Sequence, residues 1–414
     1  MVPDLKLTAG LRWTEDNKHF TNYPSEILTT GWNYPSTGIL DQQWDKWTGR
    51  FVANWTPKLN FTDQTLIYGS FAHGYKAGGA NPPGAILLTY GGAAGEITSP
   101  IHPTTFKPEF INAYELGTKN SLFDGALTVN GAAFFYDYKG YQISEIVDRT
   151  SINLNFDAKI KGAELEARYE PLPGLKFSFA GGYETTRMAN GSKSVDLIDR
   201  TAGNPNWVVV KPFITQASNC VLPVYVVETL LTTGGFQVPI ACQLAWSALL
   251  DPVTSQPYVA YPGTSSNGGS VPDYPGFNYL DYPEANNGTG LYKDLSGNEL
   301  PNAPHFTVSV GADYSVPVTS NWAATLHGDF YWQDKSWARI FNDNPYDRIR
   351  GYTNVNLALI LTDQSGWQVM GYLKNVFNTT AITGDFLNSD DTGLTTNVFL
   401  TDPRLFGVRI TKNW

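Results

Sequence analysis

Residues able to do chemistry are sparse in this 414-residue chain. The five histidines, His19, His73, His102, His305 and His327, are scattered, and no HExxH, P-loop, GxSxG or zinc-spaced Cys/His set accompanies them. Glu164, Glu166 and Arg168 alternate along one extended stretch, where two carboxylates at that spacing could act as acid and base. The competing interpretation is a polar wall whose charges neutralise one another, and with no nucleophile motif in the chain we prefer it. Asn388-Ser389-Asp390-Asp391 offers oxygen ligands of the kind that hold Ca²⁺; a solvated acidic loop is the alternative. Cys220 and Cys242 are too far apart for a CxxC redox or zinc motif. In an oxidising compartment they would close a loop worth roughly 3 kcal/mol in the chain-entropy model; otherwise they are two free thiols. No cofactor, metal or catalytic set is expected, and the chain is not expected to be an enzyme.

The elements that would position these residues are strands. Residues 5 to 14 set Leu5, Leu7, Ala9, Leu11 and Trp13 against Lys6, Thr8, Gly10, Arg12 and Thr14, the period-2 alternation of a half-buried strand. Similar stretches lie near Trp47–Trp55, Thr65–Lys76, Lys159–Tyr169 and Leu175–Glu184, and from Phe306 to Tyr314. Residues 106–142 hold two long extended segments joined by a turn at Asp124-Gly125, where glycine accepts positive φ and aspartate bonds its own backbone. About twelve strands result, with short and long connections alternating throughout. A soluble sandwich has more even loops. Short turns on one side and long loops on the other are the rhythm of an outer-membrane barrel.

Composition agrees. Aromatics make up 14% and charged residues only 16%, against about 25% in ordinary soluble domains. Trp13, Trp322, Trp332, Tyr169 and Tyr314 fall near strand ends, where amphipathic rings anchor at membrane interfaces. The net charge of −10 argues against nucleic acid, whose binders carry basic patches. No run of about 18 apolar residues marks a transmembrane helix, but a β-barrel hides its apolar face in alternation.

The segment FKPEFINAYELGTKNSLFDG followed by ALTVNGAAFFYDYKGYQ closely resembles the barrel of TonB-dependent outer-membrane receptors, in which a Pro-Glu, a Tyr-Glu-Leu-Gly-x-Lys and an aromatic-rich strand ending in Gln recur together. LIYGSFAHGYKAGGAN, KIKGAELEARYEPLPGLKFSFAGGY, DLSGNELPNAPHFTVSVGADY and GYLKNVFN have counterparts in the same order. The resemblance implies an all-β, antiparallel transmembrane β-barrel, of which about the last 12 of the family's 22 strands are present. It also implies that residues 1–414 are a partial barrel without the family's plug domain or TonB-contacting box, most simply a fragment. Phe406, Val408 and Ile410, closing on Trp414, resemble the final-strand signal read by the outer-membrane assembly machinery; Lys412 stands where the family usually has an aromatic.

Residues 189–303 interrupt the strand pattern, and loops of that length are uncommon unless functional or disordered. We take this segment as an extracellular lid, with a variable surface loop as the alternative. His73, Tyr75, His327, Trp207 and Tyr258 are the ligand-facing candidates. The resemblance implies a protein of the cell outer membrane whose partners are the lipid bilayer, the TonB complex and an extracellular siderophore, cobalamin or glycan. The competing function is a passive porin-like channel formed by a smaller closed barrel.

Overall fold

A computed structural model describes residues 4–21, 25–27, 32–34, 39–82, 86–88, 96–98, 104–147, 150–211, 220–233, 282–388 and 393–413. Twelve strands form one antiparallel sheet in sequence order. They are β1 Leu5–Thr21, β2 Ile39–Trp55, β3 Gln64–Lys76, β4 Glu109–Leu122, β5 Leu127–Val147 and β6 Thr150–Leu172, then β7 Leu175–Met188, β8 Phe306–Pro317, β9 Trp322–Gln333, β10 Tyr352–Asp363, β11 Trp367–Lys374 and β12 Leu405–Lys412. The connections at one end are all short, and those at the other are long or elaborated except between β5 and β6, which only two residues separate. The β4–β5 turn shows why the short ones work. Phe123, Asp124 and Gly125 all take positive φ, and the Gly125 N–H donates to Asp63 Oδ2 of the preceding short turn at 2.9 Å.

Directly opposed residues in an antiparallel ladder point to the same side, so register carries each face across the whole sheet. Leu7, Ala53, Gly69, Leu116, Ala133 and Ala163 lie on one face. Further along, Phe179, Val310, Phe330 and Val355 share it. This outer face leaves Leu11, Leu116, Leu326 and Val408 more than half exposed. Exposed leucines in a continuous band need lipid rather than water. Trp13, Trp322, Trp332, Tyr169 and Tyr314 all share this outer register, as expected of interface anchors.

A β-bulge redirects β5. Its register with β6 shifts between Tyr138 and Tyr141 around Gly140, whose φ is +67°. Below the bulge the inner face carries Phe134, Tyr136 and Tyr138; above it the parity inverts, and Tyr141, Ile143 and Glu145 point inward. A Cβ on Gly140 would sit 2.7 Å from the Pro108 carbonyl oxygen, so only glycine fits.

The described parts of residues 189–303 carry regular structure. Trp207–Val210 pairs with Cys220–Pro223, which runs into helix α1, Val224–Thr233. Together they bury a core of Trp207, Val210, Cys220, Val221, Leu222, Val226 and Leu230 with Ala285 and Leu291. Cys220 is disulfide-bonded; Cys242 lies outside the described residues. A second core lies on the inner face of the upper strands, where Leu295, Leu300, Ile340 and Phe341 pack on Phe156, Ala158 and Met188.

Within GYLKNVFN, Asn375 forms a buried cap just past the end of β11. Asn375 is 2% exposed and has φ +47°, a conformation asparagine tolerates better than most residues. Its side chain donates to Thr379 O at 2.9 Å and Asp402 O at 2.8 Å, and accepts from Thr379 N at 2.8 Å. Asn375→Ala strands these groups, and a loss of about 1–3 kcal/mol is expected. A urea titration of folding into lipid vesicles measures it; an unchanged midpoint would mean that water replaces the amide.

Candidate functional site

The inner wall is polar because its residues are the other half of each alternation. Tyr68 Oη donates to Glu115 Oε1 at 2.5 Å, with Tyr136 and Glu164 on the same face. Farther round, Asp313 Oδ1 lies 2.7 Å from His327 Nδ1, and His327 Nε2 lies 3.3 Å from Asp329 Oδ1. Asp329 accepts from Asn356, whose own oxygen accepts from the Asn375 backbone N–H. One hydrogen-bonded chain therefore crosses β8, β9, β10 and β11. Near the short-turn end, a polar cavity of about 870 Å³ is lined by Lys58, Asp63, Lys119, Asn130, Glu166 and Arg168, among others.

The long-loop rim holds a denser arrangement. Asp196, 2% exposed at its side chain, receives Arg339 Nη1 at 2.7 Å and Lys293 Nζ at 3.1 Å. Arg339, 12% exposed, also holds Asp347 at 2.6 Å, and Lys293 reaches Asp343 at 2.7 Å and Asp199 at 3.0 Å. Burial works against the charge on Lys293 and Arg339, but their carboxylate partners outweigh it and raise both pKa values. Burial alone would push Asp199 up, but the bond and charge of Lys293, with the Gly203 N–H and the Thr201 hydroxyl, together outweigh it and pull Asp199 down. Glu145 is treated differently. Burial first, then the charge of Asp196, push it up to about 7, with Arg339 and the Ser194 hydroxyl offsetting only part. Burial and the neighbouring Asp347 raise Asp385 too.

The sequence candidates do not gather into one site. His73 and Tyr75 lie together, their rings against Phe110 at 5.9 and 5.5 Å, at a groove of about 650 Å³ where β2 and β3 splay apart. His73 has the register of outer-face Phe71 and is held by Asn112. His327 is on the inner wall, six strands from His73. Trp207 belongs to the core of the loop subdomain, packed edge-on to Tyr282 at 5.7 Å, and its remaining edge lines a groove of about 650 Å³ with Thr201, Glu284 and Tyr292. Tyr258, Trp414 and the residues 389–391 of the calcium candidate lie outside the described residues. Phe406, Val408 and Ile410 line up on the outer face of β12. Glu164, Glu166 and Arg168 line the inner wall. Among the described residues, no group of three or more His, Cys, Asp or Glu is placed to hold a metal ion. Arg339, Asp196, Lys293 and Glu145 escaped sequence reasoning.

An antiparallel sheet in sequence order, apolar outside and wet inside, with all long connections at one end, is the wall of a transmembrane β-barrel. The sequence matches the family described as TonB dependent receptor-like, beta-barrel over residues 2–378, and the chain belongs to that family. Solved structures with a similar fold include the ferric yersiniabactin uptake receptor FyuA from Yersinia pestis, at 15% identity and a TM-score of 0.57, covering 99% of this chain and 43% of that one. The siderophore receptor PiuA from Acinetobacter baumannii matches at 13% identity and 0.52, covering 98% and 40%. The copper transporter OprC matches at 11% and 0.51, covering 99% and 45%. The chain thus spans less than half the length of these proteins. No curated protein matches it.

Proposed function

We propose that this chain is barrel wall from an outer-membrane receptor that imports a scarce nutrient by TonB-dependent coupling, its long loops facing the outside. Siderophore, cobalamin and glycan remain the ligand classes of this proposal, and the names of the solved relatives favour the first. The observation that carries it is the pairing at the two edges. Among the described residues, β1 pairs only with β2, and β12 only with β11. An open edge in hydrocarbon leaves backbone groups unpaired, at several kcal/mol each, so the twelve strands need further strands to complete them. The smaller self-closed barrel of the passive-channel alternative requires a β1–β12 ladder, which this sheet lacks. The polar cavity at the short-turn end, with Lys119, Glu166 and Arg168 on its wall, suits a plug domain held by charged contacts.

Cells expressing the complete gene product should accumulate a labelled ferric siderophore, cobalamin or oligosaccharide, and a protonophore should abolish the accumulation. Accumulation that survives the protonophore, or a steady ohmic conductance from the purified protein in planar bilayers, would favour the passive channel instead.

A further inference from the structure

Four separate segments converge on one guanidinium at the rim. Arg339 makes direct pairs with Asp196, from the β7–β8 loop, and with Asp347, from its own β9–β10 loop. Two more carboxylates face it: Glu145 from the top of β5 and Asp385 from the β11–β12 loop. Glu145 and Asp385 share with Arg339 a small cavity of about 170 Å³, walled by Leu197, Ile340, Phe341 and Leu387. The Ser194 hydroxyl reaches Glu145 at 3.5 Å, and Asp385 Oδ1 has no hydrogen-bond partner. Lys293 is the second cation, but its contacts are Asp196, Asp199 and Asp343. Among the described residues, two cations therefore serve six carboxylates, and neither ion-pairs with Glu145 or Asp385 directly. An enclosed carboxylate without a cation takes up a proton.

We propose that Arg339 and its four facing carboxylates form a proton-operated clasp, which holds the long loops against the inner wall at mildly acidic pH and loosens as Glu145 ionises. The geometry makes the clasp consequential, since Ile340 and Phe341, beside Arg339, pack on the inner faces of β6 and β7. Opening the clasp frees the loops packed on this part of the wall. The sign follows from linkage. Glu145 titrates at about 7 when enclosed and near 4.5 when exposed, so the closed form binds the extra proton. Closure is fully supported below the lower value, is lost as pH rises between the two, and changes little above the upper.

Hydrogen exchange of the full-length protein in outer-membrane vesicles, corrected for the intrinsic pH dependence of exchange, tests this. Segments 192–200 and 336–349 should open roughly tenfold or more often at pH 8 than at pH 5.5. E145Q should keep them protected at both pH values, and D385N should reduce the response. E299Q, which alters the separate Arg187–Glu299–His305 contact, should leave the response intact. A flat profile in the unmodified protein, protection that falls on acidification, or an unchanged response in E145Q would each overturn the clasp. The unmodified profile decides the matter even where a variant fails to fold. These outcomes are independent of uptake, so failure here leaves the transport proposal standing.

Discussion

Arg339→Met is expected to weaken the closed arrangement of the rim by about 3–5 kcal/mol, the usual consequence of removing one partner of a buried ion pair. Asp347 is 4% exposed and would be left without a cation, while Asp196 would keep only Lys293. The damage should stay local. The ladders of β5 to β10 do not depend on Arg339, so the rim can open while the sheet stays intact. Hydrogen exchange should show lost protection in segments 192–200 and 336–349, with an unchanged urea midpoint for the sheet. Adding Asp347→Asn should recover part of the loss, because the stranded charge disappears with its partner. Simple additivity of the two changes would mean that the pair is not coupled.

The twelve strands were legible because alternation is a local signal that every lipid-facing strand must carry. Their upper ends were not. β1 continues past Thr14 to Thr21 and β2 begins at Ile39 rather than Trp47, pairing Asn17 with Gln43, Lys18 with Gln42 and His19 with Asp41. Above the apolar band both faces are free to be polar, so the hydrophobic period fades while the backbone ladder continues. The same reason explains why β6 starts at Thr150 rather than near Lys159.

Inside residues 189–303, the apolar run Val221–Leu231 is too short for periodicity to separate strand from helix. It turns out to contain both, Cys220–Pro223 extended and Val224–Thr233 helical. The hairpin and helix that pack around Trp207 were not visible for the same reason. The rim cluster was beyond sequence reasoning for a different reason. Asp196 meets Arg339 across 143 residues and Lys293 across 97, and isolated charges in polar loops give no local sign of a distant partner. Family resemblance pointed to GYLKNVFN, but only the fold shows that Asn375 is a cap.

Val310→Arg and Leu357→Arg should each destabilise the protein in lipid by about 2–4 kcal/mol, the cost of an arginine on the lipid face near the bilayer midplane. Register selects these two. On β8 the outer residues run Phe306, Val308, Val310, Ala312, Tyr314, so Val310 lies midway between two aromatic anchors, opposite Phe179 and Phe330. Leu357 lies mid-strand on the outer face of β10, opposite Gly328 and one outer position from Val355, which register aligns with Val310. Val308 is one step nearer the rim, opposite Trp332, where an arginine can reach the interface, and Val308→Arg should cost about half as much. Ser309 belongs to the inner face and lines the polar cavity near Glu166, so Ser309→Arg should cost less than about 1 kcal/mol. Urea titrations of folding into lipid vesicles give all four values. The ordering matters more than any single value, because arginine lowers strand propensity everywhere but meets hydrocarbon only on one face. Equal small losses at Val310, Leu357 and Ser309 would show that no face of this sheet meets lipid, and the membrane assignment would fall with them.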